Sequence, residues 1–232
     1  MKAMLLAAGH GKRMQPLTMT TPKPLLLAGG KPLIVHHLEH LSAVGIREVI
    51  INVAYLGEQI KDALGKGSQW GLTIHYSEEP EPLETAGAIL QALPLLGSDS
   101  FILINADIWT DCQLSTLVHH KLPPYQGHLV LTRNPKHNPN GDFCVIDGEL
   151  STNNANNRSY TFTGISKLSP RLISEYPKKR LAFPLAEVFY YALEKQLLSA
   201  EITEGNWWDI GTPERLYALD QWLRFGAGET VD

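Results

Sequence analysis

Along the first half of the chain, short runs of consecutive apolar residues alternate with stretches in which apolar residues recur every three or four positions. Met4-Leu5-Leu6-Ala7-Ala8 predicts a short buried strand ended by Gly9. Pro32 suits a first helical position, Ile34, Leu38 and Leu41 follow at helical spacing, and Gly45 supplies the stop. Val49–Val53 predicts a second strand, a short helix follows around Ile60 to Leu64, and Leu72–Tyr76 alternates as a third strand. Ala86, Ile89, Leu90 and Leu93 mark a helix that Thr85 is placed to cap, and Phe101–Asn105 reads as a fourth strand. This alternation is that of an α/β domain on a mostly parallel sheet.

From about Leu129 the texture changes. Strands are predicted at Leu129–Thr132, Phe143–Ile146 and Tyr160–Ser166, with Asp147-Gly148 as a tight-hairpin signal and the polar run Asn153 to Arg158 as a mobile loop. Helical spacing returns at Pro184–Lys195 and Pro213–Phe225, after which the last residues are expected to fray. No internal repeat or Pro/Ser-rich linker interrupts the chain. One domain over residues 1–232 with an inserted antiparallel portion is therefore expected.

At 44% hydrophobic residues over 232, the chain has ample material for a core without staples. Its formal net charge of -4 gives no general attraction for a nucleic-acid backbone, so any phosphate must be held by a local site. Two cysteines, Cys112 and Cys144, make no disulfide framework or zinc set, and the default expectation is a reduced, cytoplasmic protein. The apolar run Ala3 to Ala8 is too short for a signal segment or a membrane span, and no membrane partner is expected. The nine histidines show no metal-ligand spacing, and Trp222 and Leu223 read as core.

Chemistry concentrates in four segments. In the first, Leu6 to Thr18, Gly9 and Gly11 follow a strand, where missing side chains let backbone N–H groups cradle an anion; alone, two such glycines also make an ordinary turn. Lys12, Arg13 and Lys23 add positive charge in a segment restrained by Pro16, Pro22 and Pro24, which suits a polyphosphate. The segment is not a Walker A loop, since Leu6 and Arg13 stand where Gly and Ser or Thr are needed. Met14 stands where a dinucleotide fingerprint needs its third glycine, which opposes a dinucleotide-dependent oxidoreductase. In the second segment, Asn105-Ala106-Asp107 sits at the carboxyl end of a strand, where α/β ligands gather; Asp107 is either a turn residue or a magnesium ligand. The third, Trp207 to Pro213, has Thr212 capping and Pro213 opening the last helix, with Asp209 on a loop just ahead. The fourth, Glu79 to Ala88, pairs an acidic turn with small residues against which a flat base could lie, beside helix N–H donors.

The run Leu6-Ala7-Ala8-Gly9-His10-Gly11-Lys12-Arg13 through Pro16-Leu17-Thr18 to Pro22-Lys23-Pro24 resembles the N-terminal signature of the sugar-1-phosphate nucleotidyltransferases. Asn105-Ala106-Asp107 resembles the family's Gly-Asp element, and Trp208-Asp209-Ile210-Gly211-Thr212-Pro213 its second aspartate motif. The resemblance implies a nucleotidyltransferase (Rossmann-like) three-layer sandwich with a mixed, mostly parallel sheet, residues 1–112 forming the nucleotide half and 113–232 the sugar half. It implies that Arg13 and Lys23 act in catalysis and that Asp107 and Asp209, 102 positions apart, together hold Mg2+. Nucleotide contacts are implied for Leu6, Ala7, Ala8, Gly9, Gly11, Arg13 and Lys23, and for Glu79, Thr85, Ala86, Gly87 and Asn105. Asn105, Gly141, Asp142, Thr163 and Gly164 are implied as sugar-phosphate contacts.

Glu84 departs from the family's usual Leu-Gly-Thr-Ala-Gly, and the Leu-Glu-Thr form, the short chain and the Trp-x-Asp-Ile-Gly-Thr segment together resemble the uridylyltransferase branch that acts on N-acetylmuramic acid 1-phosphate in cell-wall recycling. The expected partners are a nucleoside triphosphate and a sugar 1-phosphate, in a monomer or homodimer. Competing expectations are a guanylyltransferase acting on mannose 1-phosphate or a related sugar and a nucleotide-sugar-binding regulator without turnover. A carboxylate-bearing sugar calls for a nearby cation, with Arg133, Lys136 and Arg158 as candidates.

Overall fold

The computed structural model describes residues 1–146, 149–152 and 158–226. In chain order its elements are β1 (Lys2–Leu6), β2 (Leu27–Ala28), β3 (Lys31–Pro32), α1 (Leu33–Ala43), β4 (Glu48–Val53), α2 (Gly57–Leu64), β5 (Thr73–Glu78) and α3 (Glu84–Leu96). Then follow β6 (Phe101–Asn105), β7 (Ile108–Thr110), α4 (Leu114–His119), β8 (Gly127–Thr132), β9 (Phe143–Ile146), β10 (Glu149–Thr152) and β11 (Ser159–Leu168). The chain ends with α5 (Pro170–Ser174), α6 (Leu185–Glu194), β12 (Leu198–Ile202), β13 (Trp207–Asp209) and α7 (Pro213–Phe225).

The main sheet is mixed and mostly parallel. β5, β4, β1 and β6 run side by side in one direction, β11 runs against them, and β8 and β12 continue beyond it in the original direction. The first residues of β11 also pair β9, which pairs β10 antiparallel, giving the expected antiparallel insertion. Ile146 stands opposite Glu149; the hairpin residues Asp147 and Gly148, residues 153–157 of the expected mobile loop and the expected frayed tail lie outside the described residues.

Alternation within each strand builds two helical layers. Ala3 and Leu5 of β1, Val49, Ile51 and Val53 of β4, and Ile102 and Ile104 of β6 pack with α1, α2 and α4. Met4, Ile50, Phe101 and Leu103 point the other way, onto α3, α5 and α6. A third cluster joins Met14 of the glycine loop, Leu33 of α1, Trp109, and Ile210, Leu216 and Leu219 around the start of α7; half-buried Trp222 and Leu223 pack on it. This third cluster fixes the loops at the carboxyl ends of the strands.

Three expectations are corrected. The first strand stops at Leu6, because the Ala7 N–H leaves the sheet ladder for the Asn52 side chain, 2.8 Å away. Thr85 does not cap α3: the helix begins at Glu84, and Thr85 Oγ1 instead accepts the Leu185 N–H at 2.7 Å. Asp209 lies at the end of β13 rather than on a loop, paired opposite Ile108 of β7. Thr212 does cap α7, accepting the Arg215 N–H.

Small residues bring α3 close to the chain ahead of α6. A Cβ on Gly87 would lie 2.4 Å from the Leu181 carbonyl oxygen. Gly87→Ala is therefore expected to destabilise the fold by about 1–3 kcal/mol despite alanine's better helix propensity. A urea midpoint at or above wild type would show that this contact relaxes without cost.

Candidate active site

Where β1 ends, Asn52 of β4 joins two walls of a cleft. Its Oδ1 accepts the Ala7 N–H at 2.8 Å while its Nδ2 donates to Glu79 Oε1 at 2.7 Å, and Glu79 Oε2 accepts the Leu83 N–H at 3.1 Å. The glycine loop is thus tied to the acidic turn before α3. Gly11 is left-handed (φ +60°), with its carbonyl accepting the Thr18 hydroxyl at 2.8 Å and a single 3-10 turn, Lys12–Met14, after it. A Cβ there would come within 2.9 Å of Thr18 Cγ2, so glycine is required twice over. Lys12 and Arg13 are exposed, whereas Pro22-Lys23-Pro24 holds Lys23 buried with its ammonium 2.8 Å from Asp107 Oδ2.

β7 and β13 unite the two distant aspartates. Asp107 lies between β6 and β7, and its carbonyl accepts the Ile210 N–H at 3.0 Å, next to Asp209. Asp209 Oδ2 accepts Arg215 Nη1 at 2.7 Å and lies 3.3 Å from His137 Nε2. The Trp207 indole donates to the Thr163 carbonyl at 2.8 Å, fastening β13 to β11. On the other side of β7, the His37 ring hydrogen-bonds the Ile108 carbonyl through Nε2 at 2.8 Å.

His37 is buried, and that desolvation holds its pKa down to about 4, only partly opposed by the Ile108 bond. A depressed histidine pKa favours the folded state above the unfolded pKa near 6.5, and that contribution is lost as pH falls through 4. About 3 kcal/mol of stability should therefore disappear between these two pH values. Urea unfolding of wild type and His37→Gln across this window checks it; an equal pH slope in both would remove His37 from the effect.

Two cavities meet at the strand ends. The first, about 380 Å³, is lined by Leu6, Ala7, Ala8, Gly9, Gly11, Arg13, Lys23, Glu79, Thr85, Asn105 and Asp107 among others. The second, about 260 Å³, is lined by Asp209, Thr163, Gly164, His137, Asn138 and Trp207, and again by Asn105 and Asp107. Asn105 and Asp107 are their common border.

Four predicted contacts fall elsewhere. Ala86 and Gly87 line neither cavity, and their N–H groups both point to the Phe183 carbonyl, at 3.0 and 3.3 Å, rather than to an open pocket. Gly141 is left-handed (φ +63°) and packed against Asn134 and the Tyr160 carbonyl. Asp142 accepts the Phe162 N–H at 2.8 Å and Asn138 Nδ2 at 3.1 Å, pinning the loop before β9 onto β11. Thr163 contributes backbone rather than hydroxyl, since its Oγ1 donates to the Val130 carbonyl at 2.7 Å. At Gly164, φ +81° in the β11 irregularity, a Cβ would lie 2.8 Å from Asn105 Nδ2, so glycine lets Asn105 reach the border.

The sequence profile of the nucleotidyl transferase family matches residues 2–224. The chain belongs to that family. This nucleotidyl transferase is 44% identical over 221 residues to the N-acetylmuramate alpha-1-phosphate uridylyltransferase of Neisseria meningitidis serogroup B, covering 93% of this chain and 95% of that one. It is 32% identical to the mannose-1-phosphate guanyltransferase of Schizosaccharomyces pombe, covering 92% of this chain and 62% of that longer protein. A solved structure from Bacillus anthracis, described as a putative glucose-1-phosphate thymidylyltransferase, shares the fold at a TM-score of 0.82, with 22% identity and coverage of 97% of this chain and 95% of that one.

Sequence reasoning missed Asn52, His137 and Arg215 of this transferase. Arg215 carried a signal, standing three residues past its helix cap, but its reach back to Asp209 depends on Gly211, where a Cβ would lie 2.1 Å from Arg215 Nη2. The donor set at the border suits a hard dication. Lys23 and Arg215 each take Oδ2 of an aspartate, and no hydrogen bond to either Oδ1 occurs among the described residues. No set of three or more His, Cys, Asp or Glu side chains gathers there among the described residues, so substrate oxygens and water would complete the coordination.

Proposed function

We propose that this chain transfers the uridylyl group of UTP to the phosphate of N-acetylmuramic acid 1-phosphate, releasing pyrophosphate. The observation that carries the reading is the shared border: a cavity with a glycine loop and three cations meets a second cavity at Asn105 and Asp107, with Lys23 on the Asp107 carboxylate. Two phosphorylated substrates entering from opposite sides would bring their phosphates together there. The choice of base and sugar rests on the 44% identity to the Neisseria uridylyltransferase.

A phosphate oxygen of the sugar 1-phosphate attacks the α-phosphorus of UTP, the new O–P bond forms, and the bond to the β-phosphate oxygen breaks in line. The attacking phosphate is already ionised at neutral pH, so positioning and charge stabilisation suffice without a general base. The glycine loop and Arg13 hold the triphosphate; Lys23, buried and fixed, neutralises charge that grows on the breaking phosphoryl group. Asp107 and Asp209 would hold Mg2+, which supplies further neutralisation of phosphate oxygens when bound. In this reading the nucleotide half is residues 1–112 and the sugar half 113–232, and the reaction returns N-acetylmuramic acid to peptidoglycan precursors in the cytoplasm.

On the sugar side, Arg133, Lys136 and Arg158 do not line the second cavity, and Arg133 lies 3.5 Å from Glu204. Among the residues lining that cavity His137 is the one with a basic side chain, its Nε2 3.3 Å from Asp209 Oδ2, and it is the candidate to meet a lactyl carboxylate. Pyrophosphate release should require magnesium and both substrates, with UDP-N-acetylmuramic acid identified by mass. Release with UTP alone, or none from the pair, would refute the reading.

A further inference from the structure

We infer that Glu84 selects the nucleotide base, its carboxylate accepting the ring imide N–H of uracil, and that the residue holds a strained backbone conformation for that purpose. The inference rests on the uridylyl reading for the identity of the preferred base.

Glu84 opens α3 with φ +57°, a left-handed conformation that side chains other than glycine adopt at a cost. Leu56, Tyr125 and Gln196 are also left-handed, but among the described residues Glu84 alone combines this strain with a place on the wall of either cavity. Glycine would sit there without strain. The glutamate does not offset its cost with a local contact: its carboxylate makes no hydrogen bond among the described residues, and it feels the charge of Arg180, whose two guanidinium nitrogens already bond Glu187 at 2.8 and 2.7 Å.

Charge divides the first cavity. Lys12, Arg13 and Lys23 crowd the glycine-loop end, while Glu79 and Glu84 stand on the wall before α3, where a triphosphate would be repelled. The base is the uncharged part of the nucleotide and is left to face that wall. Glu79 is tied into the wall, since Asn52 Nδ2 and the Leu83 N–H each bond one of its oxygens and fix the direction of its carboxylate. Glu84 is the carboxylate on that wall that makes no hydrogen bond among the described residues, so its side chain is left to turn to the base.

A carboxylate is an acceptor only. Uracil presents a donor at N3, whereas cytosine presents a bare lone pair at the same ring position, which a carboxylate repels. Guanine also carries an imide N–H, so this side chain separates UTP from CTP and leaves purine exclusion to the size of the cavity.

The test compares wild type, Glu84→Gln and Glu84→Gly, reading the ratio of kcat/KM for UTP to that for CTP with one sugar 1-phosphate. Wild type should favour UTP by about 100-fold or more, and both variants should lose about tenfold or more of that preference. Glu84→Gly should also raise Tm by about 2–4 °C through relief of the left-handed strain. A ratio that falls less than fivefold in either variant overturns the assignment. So does a loss confined to discrimination between UTP and 2′-deoxy-UTP, which would place Glu84 on the ribose. A Tm at or below wild type in Glu84→Gly overturns the claim of strain. Wild type preferring GTP while Glu84 still controls the UTP-to-CTP ratio would defeat the uridylyl reading and leave this inference standing.

Discussion

Asp107→Asn and Asp209→Asn are each expected to cut turnover by at least about 100-fold at saturating magnesium and substrates. The amide keeps the shape of the side chain but removes the negative charge a magnesium ion needs. The aspartates stand on adjoining backbone, Asp107 accepting the Ile210 N–H, so each change strikes one site. Asp209→Asn also weakens the 2.7 Å bond from Arg215. Manganese binding followed by electron paramagnetic resonance separates the two effects: affinity should fall along with rate. Near-wild-type rates in either folded variant would remove that residue from the metal role.

Lys23→Ala should lower kcat by about 100-fold while changing the KM for UTP by less than about tenfold. The ammonium is buried and aimed at the border of the two cavities, where charge shifts during transfer, rather than at the exposed loop where Arg13 stands. Arg13→Ala should damage both constants. Steady-state kinetics on the two variants decide; a rise in KM with kcat unchanged in Lys23→Ala would make Lys23 a ground-state binding residue.

Much of this arrangement can be read along the chain because its signals are local. The strand at Phe101–Asn105, the helix at Pro213–Phe225 and its Thr212 cap carry their pattern within a few residues. The glycine loop with Lys23 is likewise continuous in sequence. What escapes is settled between distant segments. β7 and β13 have three residues each, too few for alternation to show, and only their pairing turns Asp209 from a loop residue into a strand end. The start of α3 looks open to a ligand from Thr85, Ala86 and Gly87 alone, yet Phe183 and Leu185, about 100 positions later, take up those polar groups. Asp142 resembles a sugar contact but is engaged by Phe162 and Asn138. His137 and Arg215 join the site through a carboxylate they reach only in the folded chain.

Internal competition tests the proposed transfer most directly. Equimolar UTP, GTP, N-acetylmuramic acid 1-phosphate and mannose 1-phosphate, incubated with the enzyme and magnesium and stopped early, give a product ratio equal to the ratio of catalytic efficiencies. The proposal predicts UDP-N-acetylmuramic acid in excess over GDP-mannose by about 100-fold or more. An excess of GDP-mannose would contradict it.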